Sequence, residues 1–203
     1  MNKKEQRQSN ILIGAFKLFL SKEYADVVTA DLEEITGVTR GAIYYKVKNK
    51  EGLYKAVVDK FIFESMSAST HRDISISKDS PFWDFLVSEL ELVRDRMNAI
   101  KRLNIDATSA QFFSLLTSAN FHYDGFNNKC KELEKEILDF WLKHYRKGVE
   151  AGELKESFDS QSIISMFRSL YYGDAFYLSI TGGELDIEEL KNKYSLLYNA
   201  IHL

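Results

Sequence analysis

Thr29 to Lys50 reads TADLEEITGVTRGAIYYKVKNK, and this stretch gathers side chains suited to holding a nucleic acid. Arg40 can give two parallel hydrogen bonds to guanine O6 and N7, while Ala42 and the methyl of Thr39 can touch a thymine methyl. Tyr45 and Lys46 fall on or near the same exposed side of a short helix. Ile43 is its apolar anchor. Gly41 removes a side chain where backbone and DNA would approach closely. Thr29, Tyr44 and Lys50 are placed to hold phosphates, and Lys50 opens a further helix whose free N–H groups favour an anion. Val38 to Lys60 carries six basic and two acidic side chains, so the local field has the sign DNA requires.

The elements that must position these groups are short. Thr29 suits the N-cap of a helix reaching Thr36, and Gly37 suits the left-handed position past its end. Thr39 can cap a second helix over about Arg40 to Lys46. Two helices joined by a three-residue glycine turn form a helix-turn-helix, whose second helix can enter a major groove. Such pairs also occur in proteins that never touch DNA. Ahead of them, Ile11, Ala15 and Leu18, with Leu12, Phe16 and Phe19 beside them, give residues 5–21 the face of an amphipathic helix. Asn49 can cap a fourth helix, running from Lys50 into the sixties.

Composition sets the wider frame. Forty-five per cent of the 203 residues are hydrophobic, and there is a single proline, Pro81. That permits long helices, and the ten glycines are few for a barrel or sandwich. The expected fold is all-α with about nine helices. Residues 65–80 hold six serines and form the expected boundary loop. Ser80-Pro81 then reads as N-cap and N1 of a new helix. Further helices are expected over about 105–120, 127–151 and 160–180. The last opens at Asp186, with Glu189 completing a capping box and Leu185 and Leu190 a hydrophobic staple. Net charge is −3 overall, but residues 1–60 carry 11 basic against 8 acidic side chains and the remainder 16 against 22. A basic head and an acidic body suggest a division of labour.

Several classes are disfavoured. The lone Cys130 excludes an intrachain disulfide and fits a reducing cytoplasm. The apolar run Ile11–Leu20 imitates a signal peptide, yet Lys17 interrupts it and no small-residue cleavage site follows. No run approaches the roughly 20 apolar residues that span a bilayer. No Glu-x-x-His pair, zinc spacing, phosphate loop or nucleophile elbow is present, so neither metal, cofactor nor catalytic residue is expected.

Helix one plus ADLEEITGVTRGAIYYKVKNKEGLYKAVVDKF resembles the DNA-binding domain of the TetR family of transcriptional repressors. The resemblance covers about residues 7–62. It rests on Gly37-Val38-Thr39-Arg40-Gly41, an apolar residue, Tyr44, then Lys48-Asn49-Lys50-Glu51 and Leu53. TRGAIY and KNKE are particularly similar to repressors of multidrug efflux genes. The sequence departs from the family at Glu23, Glu33, Thr36 and Val47. Glu33 stands where a packed alanine is usual, and a carboxylate there must reach solvent or find a partner. The resemblance implies a DNA-binding domain at residues 1–49 and a ligand-binding and dimerisation domain at 50–203, with the fourth helix connecting them. It also carries Thr29, Tyr44 and Lys50 to phosphates and Thr39, Arg40, Ala42 and Tyr45 to bases.

A homodimer joined through the last two helices is implied in turn, with Ile164, Phe167, Leu170, Tyr171, Gly173, Leu178, Tyr194, Leu197 and Ile201 as its expected interface. The implied cavity is expected to be lined by Met97, Phe112, Phe113, Leu116, Phe121 and Trp141, and to suit a small hydrophobic ligand, neutral or cationic. Glu89, Glu134 and Asp174 are the candidates for pairing with a cation. The function expected is a ligand-responsive repressor on a near-palindromic duplex. The alternatives are an activator, or an all-α carrier or enzyme with a vestigial helix-turn-helix.

Overall fold

The computed structural model describes residues 3–203. Helices α1 (Lys3–Ser21), α2 (Thr29–Thr36) and α3 (Arg40–Tyr44) form the head. α4 (Lys50–Val58) continues through a π-helical segment, Asp59–Phe63, into α5 (Glu64–Ser69), so the three make one rod. α6 (Pro81–Arg102), α7 (Ser109–His122), α8 (Phe126–Glu150), α9 (Ser160–Thr181) and α10 (Ile187–Ile201) build the body. Counting that rod once gives nine helices among the described residues, as the periodicity predicts. Asn49 and Asp186 cap α4 and α10 as expected, the first accepting from Gly52 N and the second from Glu188 N and Glu189 N. Glu189 does not close a capping box; it pairs with Lys193 at 3.1 Å. α3 is two residues shorter than its sequence suggests, and the N-cap of α2 is Val28, not Thr29.

Apolar faces gather into two clusters. The head-side cluster joins Phe16 and Phe19 of α1, Leu32 of α2, Ile43 of α3, Tyr54 and Val57 of α4, and Leu115 of α7. The distal cluster joins Phe82, Phe85 and Leu86 of α6, Trp141 and Tyr145 of α8, Phe167 of α9, and Tyr194 of α10. The π-helical segment begins at Asp59, whose carboxylate accepts from the Tyr123 hydroxyl at 2.6 Å and from Lys129. Burial opposes that charge, but the Lys129 and Tyr123 hydrogen bonds outweigh it and hold the carboxyl below its usual range.

Two departures from the family pattern are answered inside the head. Glu33 Oε1 accepts the backbone N–H of Arg40 at 2.6 Å, so the carboxylate caps α3 in place of the Thr39 side chain. Thr36 gives its hydroxyl to Leu32 O and turns its methyl onto α1 at Gly14. A methyl on Gly14 would stand 2.8 Å from Thr36 Cγ2 and 3.3 Å from Ile35 Cγ2. Gly14→Ala is therefore expected to destabilise the head by about 1 kcal/mol net, overpacking exceeding the helix-propensity gain. Adding Thr36→Ala reverses the loss. Denaturation midpoints for this double-mutant cycle check the coupling; simple additivity would refute it.

His144 is only 4 % exposed, stacked on Phe85 with ring centroids 4.5 Å apart, and its Nδ1 has no partner. Burial, then Lys147, Lys143 and Arg72, push its pKa from 6.5 down to about 4. Between those values the unfolded chain binds more protons than the folded one, so stability falls as pH falls through that window. The expected loss is up to roughly 3 kcal/mol, and His144→Phe should flatten it. Urea denaturation from pH 7 to 4 measures this, and an unchanged slope in the variant would refute the assignment.

Candidate nucleic-acid interface

α1 and α4 hold the two short helices from behind, through Leu32 and Ile43, and leave the outer side of α3 in solvent. Thr39, Arg40, Gly41, Tyr45 and Lys46 are exposed there; Ala42 is half-buried. Tyr45 is 75 % exposed, with Lys4 Nζ 5.7 Å above its ring. A cleft of about 630 Å³ opens beside α3 and brings together Thr29, Arg40, Gly41, Tyr44, Lys48 and Lys50. The Thr29 and Tyr44 hydroxyls meet across it at 3.4 Å. Arg40, Lys46 and Lys48 make no ion pair among the described residues, so three cations face solvent uncompensated. Lys48 was legible in the sequence as part of the basic run and of the Lys48-Asn49-Lys50-Glu51 motif, with no contact assigned to it. Its φ of 68° puts it in the left-handed region, where it swings the chain from α3 into α4.

Lys50 is placed differently from expectation. Its ammonium donates to three backbone carbonyls, Tyr24 O at 2.9 Å, Ala25 O at 3.3 Å and Val27 O at 3.1 Å. It also lies 4.4 Å from the centre of the Tyr24 ring. A lysine has three donors, and all are engaged. Lys50 thus clamps the turn before α2, and its effect on a phosphate runs through that turn and through its charge. Burial, then the Glu51 carboxylate and Tyr44, raise the Tyr24 pKa, so its ring stays neutral beneath the ammonium.

Tyr24 also ties head to body. His122 of α7 stacks on it with centroids 3.7 Å apart. Tyr54 of α4 donates its hydroxyl to Leu115 O at 2.6 Å, and Ser114 meets Glu23 at 3.3 Å. Nothing in the spacing of these residues announced the contact, because the partners are 61 and 91 positions apart.

The body corrects two sets of expectations. The six residues expected to line one cavity do not converge. Phe112 and Leu116 pack on the head-side cluster, Met97 and Trp141 belong to the distal one, and Phe113 meets Phe176 of α9. Phe121 is 83 % exposed, at the edge of a polar cleft with Glu51 and Asp124. Their shared helical faces diverge because α6, α7 and α8 serve two clusters rather than one. The three acids named for a cation are already paired, Glu89 with Arg72, Glu134 with Arg168 and Asp174 with Lys193.

The interface set is also divided. Ile164, Phe167, Tyr194 and Ile201 are buried in the protomer's own core, and Leu170, Tyr171 and Leu197 pack against it. Leu178 is half-buried. The exposed apolar stripe of α9 is the opposite face: Met166, Tyr172, Phe176, Tyr177 and Ile180, with Gly173 open among them. Leu196 of α10 is exposed as well. The helical period located one apolar face of α9, and packing turned that face inward and left the other in solvent.

Comparison with known proteins agrees with this geometry. Residues 11–57 match the family model described as bacterial regulatory proteins, tetR family. The transcriptional repressor ComR of Escherichia coli is 44 % identical over 48 residues, 24 % of this chain and 23 % of ComR. The transcriptional regulator TtgR of Pseudomonas putida is 36 % identical over 55 residues, 27 % of this chain and 26 % of TtgR. The chain thus spans about a quarter of the length of these curated relatives. Solved structures extend the likeness in fold. A TetR-family regulator from Cytophaga hutchinsonii superposes with a TM-score of 0.72 at 18 % identity, covering 100 % of this chain and 98 % of that one. SmeT, repressor of the Stenotrophomonas maltophilia efflux pump SmeDEF, gives 0.69 at 18 % identity, covering 97 % and 90 %. Residues 11–57 are therefore similar to the tetR family of bacterial regulatory proteins, and the chain as a whole has the fold of solved TetR-family regulators.

Proposed function

We propose that this chain is a ligand-responsive transcriptional repressor that binds a near-palindromic duplex as a homodimer and leaves it when a small ligand with an apolar body enters the domain beyond residue 50. The observation that carries the reading is the outer side of α3, where Arg40, its backbone N–H held by Glu33, stands solvent-facing near Lys46 and Lys48 with its guanidinium in no ion pair among the described residues. The apolar stripe of α9 supports a two-fold assembly, since Gly173 has nothing within 4 Å of the place a Cβ would occupy and lets a second helix approach. Two heads would then reach successive major grooves, roughly 34–36 Å apart or a multiple of that. The Tyr24–His122 stack and the Tyr54–Leu115 bond support coupling, because a shift of α7 must drag the head with it. To release the duplex, the ligand must favour the wrong head spacing by a few kcal/mol.

Selection of bound duplexes from random DNA tests the reading, with a palindrome as the expected product. Arg40→Ala is expected to cost about 1–3 kcal/mol and relax preference at one base position. Lys50→Ala should weaken all duplexes alike. Salt titrations of both variants separate the two effects; equal losses with unchanged preference would overturn the assignment of Arg40. No enriched duplex would favour the carrier reading.

A further inference from the structure

The two hydrophobic clusters of the body meet along α6. Leu90, Val93 and Met97 pack into the distal cluster, Ile100 and Leu103 into the head-side one, and Ile137 of α8 touches both. A band of polar groups lies along this seam. Arg72 pairs with Glu89 and rests over Phe140. Arg168 binds Glu134 through Nη1 and Nη2 and lies over the Tyr172 ring. Arg96 is the third cation and has no carboxylate. Its Nη2 donates to Ser65 O at 3.2 Å, and its Nε is buried without a partner. Burial lowers its pKa first of all, and Tyr171, Glu89 and Tyr172 act against that. Arginine nonetheless stays charged in proteins. The seam therefore holds three cations against two carboxylates, with one buried N–H unsatisfied. Such a group calls for an explanation, and an absent acceptor is the simplest.

We propose that this seam is the effector site and that the effector carries an oxyanion, a carboxylate by first choice, on an apolar body. The inference rests on the reading of the body as effector-responsive. A carboxylate suits the guanidinium fork, accepting from Nε and Nη together. Tyr171, packed against the distal cluster, acts on the Arg96 charge. Val93, about one turn before Arg96 on α6, and the adjacent Met97 offer the apolar contact. A cation is disfavoured at the same place, because the acids that would receive it are already bound to Arg72 and Arg168. The position also explains coupling. A ligand wedged at the seam parts the cluster that holds the head from the cluster that carries α9 and α10.

Calorimetric titration of the full chain with 2-naphthoate and with its amine counterpart, 2-naphthylmethylammonium, tests the proposal. Saturable binding of naphthoate and none of the amine is expected. Arg96→Gln should weaken naphthoate about tenfold to a hundredfold, the size of a lost charge-assisted bond. If that variant fails to fold, Tyr171→Phe removes one oxygen only and should weaken binding about threefold to tenfold. Equal or tighter binding of the amine, or unchanged naphthoate affinity in a folded Arg96→Gln, would overturn the proposal. So would the absence of saturable binding by both naphthoate and decanoate. Duplex binding by the ligand-free chain is measured in parallel. If the duplex binds and naphthoate does not, the anion assignment alone fails. If naphthoate binds at Arg96 and no duplex is bound, the repressor reading fails and the site stands.

Discussion

Gly52→Ala is expected to break the joint between recognition helix and body, with a loss of about 3 kcal/mol or more in head stability. The turn from α3 to α4 is built around a sharp reversal at Lys48, and Asn49 N returns to Val47 O at 2.9 Å. That carbonyl then points at Gly52. A Cβ there would stand 2.0 Å from Val47 O, closer than real Cβ contacts, and 3.1 Å from Val47 C. The obstacle is backbone, so no rotamer change relieves it. Either the turn opens or α4 shifts away, and both move Arg40 relative to the body. Duplex affinity should therefore collapse even at temperatures where the body still melts normally. A far-ultraviolet melt combined with a duplex-binding isotherm reads both. A variant with wild-type affinity would mean that the turn tolerates what this geometry forbids.

Glu153→Ala carries the second large effect, in the body. Glu153 is 2 % exposed, and its carboxylate takes three hydrogen bonds. Phe82 N donates at 2.7 Å, Trp83 N at 2.8 Å and the Tyr198 hydroxyl at 2.9 Å. The first two are free N–H groups at the start of α6, where Pro81 has none to give and Ser80 makes no side-chain cap. The positive end of the α6 dipole meets the negative charge there. Through Tyr198 the same carboxylate fixes α10; the burial of Tyr198, then its hydrogen bond to Glu153 and the Glu153 charge, raise that tyrosine's pKa. Truncation to alanine leaves three buried donors unmet and a void, an expected loss of about 3–5 kcal/mol. Glu153→Gln keeps one good acceptor but turns an amide NH2 toward a donor, so it should fall between wild type and alanine. Denaturation midpoints should rank in that order. A glutamine variant as unstable as alanine would argue that charge, rather than acceptor geometry, dominates.

Much of the head was legible in the sequence. Gly37, Thr39, Arg40, Ile43 and Asn49 occur at spacings that permit little besides two short helices and a capped third. Their environment is local, so spacing alone constrains it. The same residues could not say what Glu33 and Lys50 would do. Glu33 reaches seven positions forward to cap α3, and Lys50 reaches back 26 to hold Tyr24 O. Both bonds depend on how α2 and α4 are set against α1. In the body, periodicity marked the helices well and misjudged what their faces serve. Ile164 and Phe167 are an inward face and Met166 and Phe176 an outward one on the same helix. Apolar character was present on both sides, so hydrophobic pattern could not choose between core and surface.

By itself the sequence determined the helical class, the capped ends, the basic head and the exposed recognition side of α3. Those follow from backbone chemistry and charge within a few residues. Tertiary structure alone decided that α6 divides its apolar side between two clusters, that Glu89, Glu134 and Asp174 are spent on internal cations, and that Arg96 is left at the seam without one. Pairing of charges across helices depends on where each helix is laid in three dimensions, and a one-dimensional pattern carries no record of that.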